Sequence, residues 1–168
     1  MEVSDQVADC ALRHYEKNIT NKGKPRGDGS EWTVYAAIVA QRGAKVWVVS
    51  AATGTKCTTR REKGFILHDT HAEVLARRGL MRVLWLEIKE KLTLPKVTTM
   101  IGSANHEELL EPLLTEKRKF KLRSDICLHL YISDSPCGDA RLVYKRKKDR
   151  QKERKNLSIA FQLSQFHF

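Results

Sequence analysis

An imidazole, a carboxylate and a thiol stand in an order suited to a metal-activated water. His71 and Glu73 lie two residues apart in His71-Ala72-Glu73, and Cys137 follows Ser135-Pro136. Exchanging the amine of a nucleobase for oxygen takes a hydroxide, made near neutral pH by zinc, and a carboxylic acid that moves protons from that water to the ring and the leaving amine. A histidine at a helix start can turn a ring nitrogen to the metal while a glutamate two residues on reaches the bound water without ligating. Ser135-Pro136 is a good N-cap and first-turn pair, so Cys137 is expected at a helix N-terminus, where the dipole favours thiolate. Each half also has a plainer reading: Thr70-His71-Ala72-Glu73 fits a capping box, and an isolated cysteine is often a small buried hydrophobe. The combination favours chemistry, because Pro136-Cys137 comes after an apolar strand and opens a second helix, the context in which the paired motifs operate.

Those residues need elements to hold them. From His71 to about Glu90 there is no proline and a single glycine, and apolar residues cover more than one face, which predicts a long, largely buried helix. Ile126 to Ile132 is a continuous apolar strand stopped by Ser133-Asp134-Ser135-Pro136. Upstream, Val3, Val7, Ala8, Ala11, Leu12 and Tyr15 recur at helical spacing, and Trp32–Ala40 and Lys45–Ala51 read as a hairpin of two buried strands joined through Gly43. Residues 21–30 and 53–64 read as loops. Leu94 to Arg123 mixes Pro95, a polar stretch and the acidic-apolar run Glu107 to Leu114, and looks like an insertion with a short helix that is not placed on particular residues. Asn156 to Phe168 alternates like a strand but has little chain left to pair with. The order is helix, hairpin, helix, strand, helix: an α/β layered design that ends after about three strands.

The chain has 168 residues, enough for one domain with a real core. Lys and Arg number 31 against 20 Asp and Glu, a formal net charge of +11, which points to a polyanionic partner or a solvated basic tail. Residues 145–155 are almost entirely charged and fit the second description. No stretch is apolar enough for a membrane span, no signal peptide is evident, and the four cysteines lack the spacing of a disulfide scaffold. An intracellular protein is expected, in nucleus or cytoplasm.

His71-Ala72-Glu73-Val74-Leu75-Ala76-Arg77-Arg78 and Ser135-Pro136-Cys137-Gly138-Asp139-Ala140-Arg141 resemble the two signatures of the adenosine deaminases acting on RNA. Cytidine deaminases have a second cysteine where this chain has Ala140. Lys22-Gly23-Lys24-Pro25 with Glu31-Trp32-Thr33, and the loop Thr53-Gly54-Thr55-Lys56-Cys57, are similar to the tRNA-specific branch of that family, which lacks double-stranded-RNA-binding domains. The resemblance covers roughly residues 1–143. It implies a cytidine-deaminase-like three-layer sandwich and conversion of adenosine to inosine in tRNA, at the adenosine 3′ of the anticodon of an alanine tRNA. By the same resemblance His71 and Cys137 are zinc ligands, Glu73 is the proton shuttle, and Thr55 and Lys56 touch the ribose or phosphate of the flipped nucleotide. Arg77 and Arg78 match an arginine pair that helps to hold a buried inositol hexakisphosphate.

Zinc in such a site takes three protein ligands and a water. Two are counted here, because the family's third is a cysteine far downstream of Pro-Cys and no cysteine follows Cys137. Cys57 and Cys127 are candidates by default. The expectation is therefore the N-terminal portion of an editase domain over 1–144, incomplete or poorly active, followed by an unrecognised basic tail over 145–168. The competing readings are a noncatalytic basic RNA-binding remnant and a free-nucleoside deaminase; the charge and Ala140 count against the latter.

Overall fold

Ten consecutive residues with no charge, Trp32 to Gln41, precede Arg42 and make the first strand the natural centre of a sheet, since a strand buried on both faces needs no polar alternation. The computed structural model describes residues 2–25, 28, 30–57, 69–93, 107–113, 119–134 and 161–162. In it β1 (Tyr35–Arg42) pairs antiparallel with β2 (Lys45–Thr53) on one side, and with β7 (Cys127–Ile132) on the other. The hairpin register shifts between Ile38 and Val39, a bulge that sets Ser50 opposite Ile38 and Val48 opposite Val39. Strand β1 runs two residues further than the sequence pattern suggested, through Gln41 and Arg42, because both still pair across the turn with Val46 and Lys45.

The two faces of β1 enter two different cores. Ala36, Ile38 and Ala40 face helix α2 (Ala72–Thr93), whose Ala72, Ala76, Leu80 and Leu84 are all at most 2% exposed. Tyr35, Ala37 and Val39 face helix α1 (Val3–Asn18), which contributes Val7 and Ala11. The period of two in the strand thus meets a spacing of about four in each helix, and one helix covers each face of the sheet. Small residues on β1 let both helices come close. Ser50 of β2 donates its hydroxyl to the Ala76 carbonyl at 2.8 Å, and a Cβ on Gly79 would lie 2.9 Å from that of Ser50, so this contact tolerates no larger residue without movement.

Two expectations need correction, and part of the insertion can be described. Helix α2 presents one buried stripe: Trp85, Leu86 and Leu92 are 62%, 50% and 52% exposed among the described residues, so it is not buried most of the way round. The run from Glu107 to Leu114 is extended where it is described; β5 (Leu110–Pro112) pairs with β6 (Phe120–Leu122). Glu87 of α2, 4% exposed, ties this run to the core: its carboxylate accepts the backbone N–H of Leu109 at 3.1 Å and of Leu110 at 2.9 Å. The alternating C-terminal segment does find a partner, since β8 (Phe161–Gln162) pairs with Leu130 and His129 of β7, giving a sheet ordered β2-β1-β7-β8. The helix expected after Pro136 lies outside the described residues.

Candidate active site

Gly54 is the single residue between β2 and the next strand, and its backbone ties both to the segment around His71. Gly54 donates its N–H to the Val34 carbonyl at 3.0 Å and accepts the Ala72 N–H at 3.1 Å. The second bond satisfies one of the donors that a helix start leaves without an intrahelical partner. Strand β3 (Thr55–Cys57) then pairs with β4 (Asp69–His71), setting Thr55 opposite His71, Lys56 opposite Thr70 and Cys57 opposite Asp69. His71 is the last strand residue and Ala72 the first helical one, so Thr70 lies within the strand, one position short of where a cap would sit, and the capping-box reading does not hold.

Alternation along β4 puts Asp69 and His71 on the same side. Asp69 Oδ1 lies 3.0 Å from the His71 backbone N and 3.0 Å from its Nδ1. The amide of His71, aided by the charge of Arg78, holds the Asp69 carboxyl below the ordinary carboxylate value, so it is an acceptor at neutral pH. An acceptor there selects the tautomer with the proton on Nδ1 and leaves the Nε2 lone pair for a metal, the usual carboxylate–histidine arrangement behind a zinc ligand. Glu73, half-buried, stands in the first turn of α2, where the helix dipole favours a carboxylate. Sequence reasoning gave Asp69 no role. The signal for it was the Asp-x-His spacing in a short strand.

A cavity of about 500 Å³ opens beside this junction, with Thr53, Gly54, Thr55, Thr70 and Leu75 on one side and Gly23–Pro25 and Glu31–Thr33 on the other. Thr55 therefore faces space that a small ligand can fill, directly across from His71, while Lys56 pairs with Thr70 through its backbone. Arg77 and Arg78 are both exposed, and Arg78 Nη1 donates to the Asp69 carbonyl at 2.8 Å, bracing β4. Those two arginines form no closed cradle for a polyanion among the described residues.

Among the described residues no three His, Cys, Asp or Glu side chains gather as a metal site. Cys137 lies outside them, so the only predicted ligand on view is His71, whose fixed Nδ1 suits the role. Cys127 is excluded as its neighbour: it pairs with Gln41, at the opposite end of β1 from Val34 and Gly54, about 20 Å away along the strand. The other end of β7 behaves differently. Ser133 donates its N–H to the Tyr35 carbonyl at 2.9 Å, and its hydroxyl accepts the Tyr35 N–H at 2.9 Å. The chain leaves β7 beside Tyr35, next to the Val34 carbonyl that holds Gly54. Cys137 follows four residues later in the sequence, outside the described residues.

The family model described as the adenosine-deaminase (editase) domain matches residues 50–165. Over 160 residues the chain is 32% identical to tRNA-specific adenosine deaminase 1 of Homo sapiens, covering 85% of this chain and 30% of that protein. The protein of the same name from Schizosaccharomyces pombe is 34% identical over 148 residues, 82% of this chain and 35% of its own length. Double-stranded RNA-specific editase B2 of Rattus norvegicus is 33% identical over 116 residues, 64% of this chain and 14% of that protein. The chain thus spans about a third of the length of the tRNA-specific relatives. No solved structure matches it.

Proposed function

The chain belongs to the adenosine-deaminase (editase) family, and from that premise we propose that it carries the metal-binding and proton-transfer part of a site that hydrolyses adenosine to inosine in RNA. The substrate we propose is a tRNA, at the adenosine 3′ of the anticodon of an alanine tRNA, in keeping with the tRNA-specific relatives. The observation that carries this reading is the shared end of the sheet. Gly54 ties the β4–α2 junction to Val34, Ser133 ties the end of β7 to Tyr35, and so His71-x-Glu73 and the segment leading to Pro136-Cys137 start from adjacent residues.

In this proposal His71 through Nε2 and Cys137 through its thiolate hold zinc. When bound, zinc supplies a hydroxide near neutral pH and a positive charge beside the reacting carbon. Asp69 keeps the proton on Nδ1 and fixes the imidazole plane. Glu73 takes the proton of the attacking water and delivers it to the ring nitrogen; a second transfer to the exocyclic amine lets ammonia leave, so adenosine and water become inosine and ammonia. Thr55 lines the cavity that receives the nucleoside, and Lys56 follows it toward ribose or phosphate. The inositol hexakisphosphate implied by Arg77 and Arg78 enters no step.

The sheet with one helix on each face supports the cytidine-deaminase-like three-layer sandwich. The division into an editase portion over 1–144 and a basic segment over 145–168, and an intracellular setting, belong to the same proposal; no helix among the described residues is long and apolar enough to cross a membrane. A noncatalytic RNA-binding role is the second reading, favoured by the net charge of +11 and the run at residues 145–155. The experiment replaces Glu73 by Ala. Zinc content should stay as in the native chain and inosine formation on alanine tRNA, assayed with the family's C-terminal half supplied, should be lost, because the carboxylate moves protons without ligating. Undiminished inosine would overturn the role of Glu73.

A further inference from the structure

Glu31-Trp32-Thr33 has no part in the chemistry above, yet the fold brings it to the same cavity as Thr55 and Thr70. Trp32 is 70% exposed, the most exposed of the large hydrophobic residues among those described, while Thr55 and Thr70 further in are half-buried. An indole at the mouth of a cavity has an open π-face to offer. The cavity wall around it mixes threonines, glycines, Glu31 and Lys24 with Pro25 and Leu75, so polar groups are available at the edge of a flat ligand. The neighbouring Lys24 does not offer the first contact: its ammonium donates to the Glu16 carbonyl at 3.0 Å and lies 5.3 Å from the ring centre of Tyr15, pointing toward α1. A flat ligand with polar edges, belonging to a polyanion that the chain's +11 charge attracts, matches both features.

We propose that Trp32 is a stacking platform for the nucleobase next to the reacting adenosine, holding the RNA strand at the mouth of the cavity that Gly54, Thr55 and Thr70 line beside the β4–α2 junction. The inference rests on the RNA-deaminase reading and deepens it. Extruding a base from a stack leaves its neighbour with a bare face, and an aromatic side chain at the entrance replaces the lost stacking partner. Stacking is indifferent to base identity because every base has a π-face, so Trp32 positions RNA without choosing its sequence.

The test titrates a fluorescein-labelled RNA stem–loop with an adenosine-containing loop into the full chain, by anisotropy, across a series of NaCl concentrations. Trp32→Ala should weaken binding about tenfold, within the range measured for single base–aromatic stacks. Trp32→Phe should recover most of it, and the slope of log affinity against log salt should stay that of the native chain, because no phosphate contact is lost. Affinity of Trp32→Ala within twofold of native would overturn the proposal. So would a salt slope that falls along with affinity, or a Phe variant as weak as the Ala one, since both point to a structural role. The catalytic reading fails separately. Trp32-dependent binding with no inosine from any Glu73-containing sample would leave the platform standing and remove the deaminase, whereas inosine formation with Trp32-independent binding would do the reverse.

Discussion

Gly54→Ala is a substitution of one methyl group, and the structure assigns it an outsized effect. A Cβ at residue 54 would lie 2.1 Å from the Thr70 carbonyl oxygen, against a working minimum of 3.0 Å, and the obstacle is backbone. Gly54 cannot simply retreat, because its N–H is held by Val34 and its carbonyl by Ala72. The strain is relieved only by moving the β4–α2 junction about 1 Å away or breaking one of those bonds, at a cost of about 1–3 kcal/mol for an overpacked site. The junction that moves carries His71 and Glu73. A displacement of about 1 Å at reacting groups lowers rate on the order of 100-fold. Urea unfolding should therefore show a lower midpoint with unchanged slope, zinc competition a weaker site, and reconstituted deamination a loss far larger than the stability change predicts. A Gly54→Ala chain with native midpoint, native zinc affinity and native inosine yield would refute the reasoning, and with it the placement of the junction.

Two further outcomes follow from buried polar groups. Glu87→Ala strips the acceptor from the Leu109 and Leu110 amides, and two buried N–H groups at about 1–3 kcal/mol each should lower unfolding free energy by about 3 kcal/mol, seen in chemical denaturation as a loss that Glu87→Gln partly restores. His14, beside the Tyr35 hydroxyl at 3.1 Å, and His129, beside Gln41 Oε1 at 3.0 Å, are both pushed below the ordinary imidazole value of 6.5 by burial. The unfolded chain then protonates first as pH falls, so their stability contribution is full above 6.5 and is lost as pH drops through the lower folded values. Melting temperature should fall between pH 7 and about 5, above the carboxylate range, and a His14→Gln, His129→Gln double variant should flatten that decline.

Much of this arrangement was legible because short-range rules governed it. The apolar run of β1, the repeat of α1 and the uninterrupted stretch of α2 each carry their period in consecutive residues, and His71-x-Glu73 sits where the helix start was expected. Several of the departures involve distant partners. The insertion from Leu94 to Arg123 offered no period to place an element on, because its described part is held by pairing with Phe120–Leu122 and by Glu87, some twenty residues upstream. Phe161 and Gln162 looked partnerless because their partner, β7, carries no mark of an open edge in its own sequence. Asp69 was passed over because its value comes from a 3.0 Å approach to His71 Nδ1 that depends on β4 being a strand, and the same residues could have been read as a helix cap. Cys127 stayed a candidate ligand until the register with Gln41 put it at the wrong end of the sheet.

The central claim is that His71 and Cys137 hold zinc while Glu73 does not. Zinc content of the purified chain, measured by inductively coupled plasma mass spectrometry alongside His71→Ala, Cys137→Ala and Glu73→Ala, tests it most directly. The account predicts that zinc falls together with thermal stability in the first two variants, since metal binding and folding are linked, and matches the native chain in the third. Native zinc content in His71→Ala or Cys137→Ala, or its loss in Glu73→Ala, would contradict the assignment.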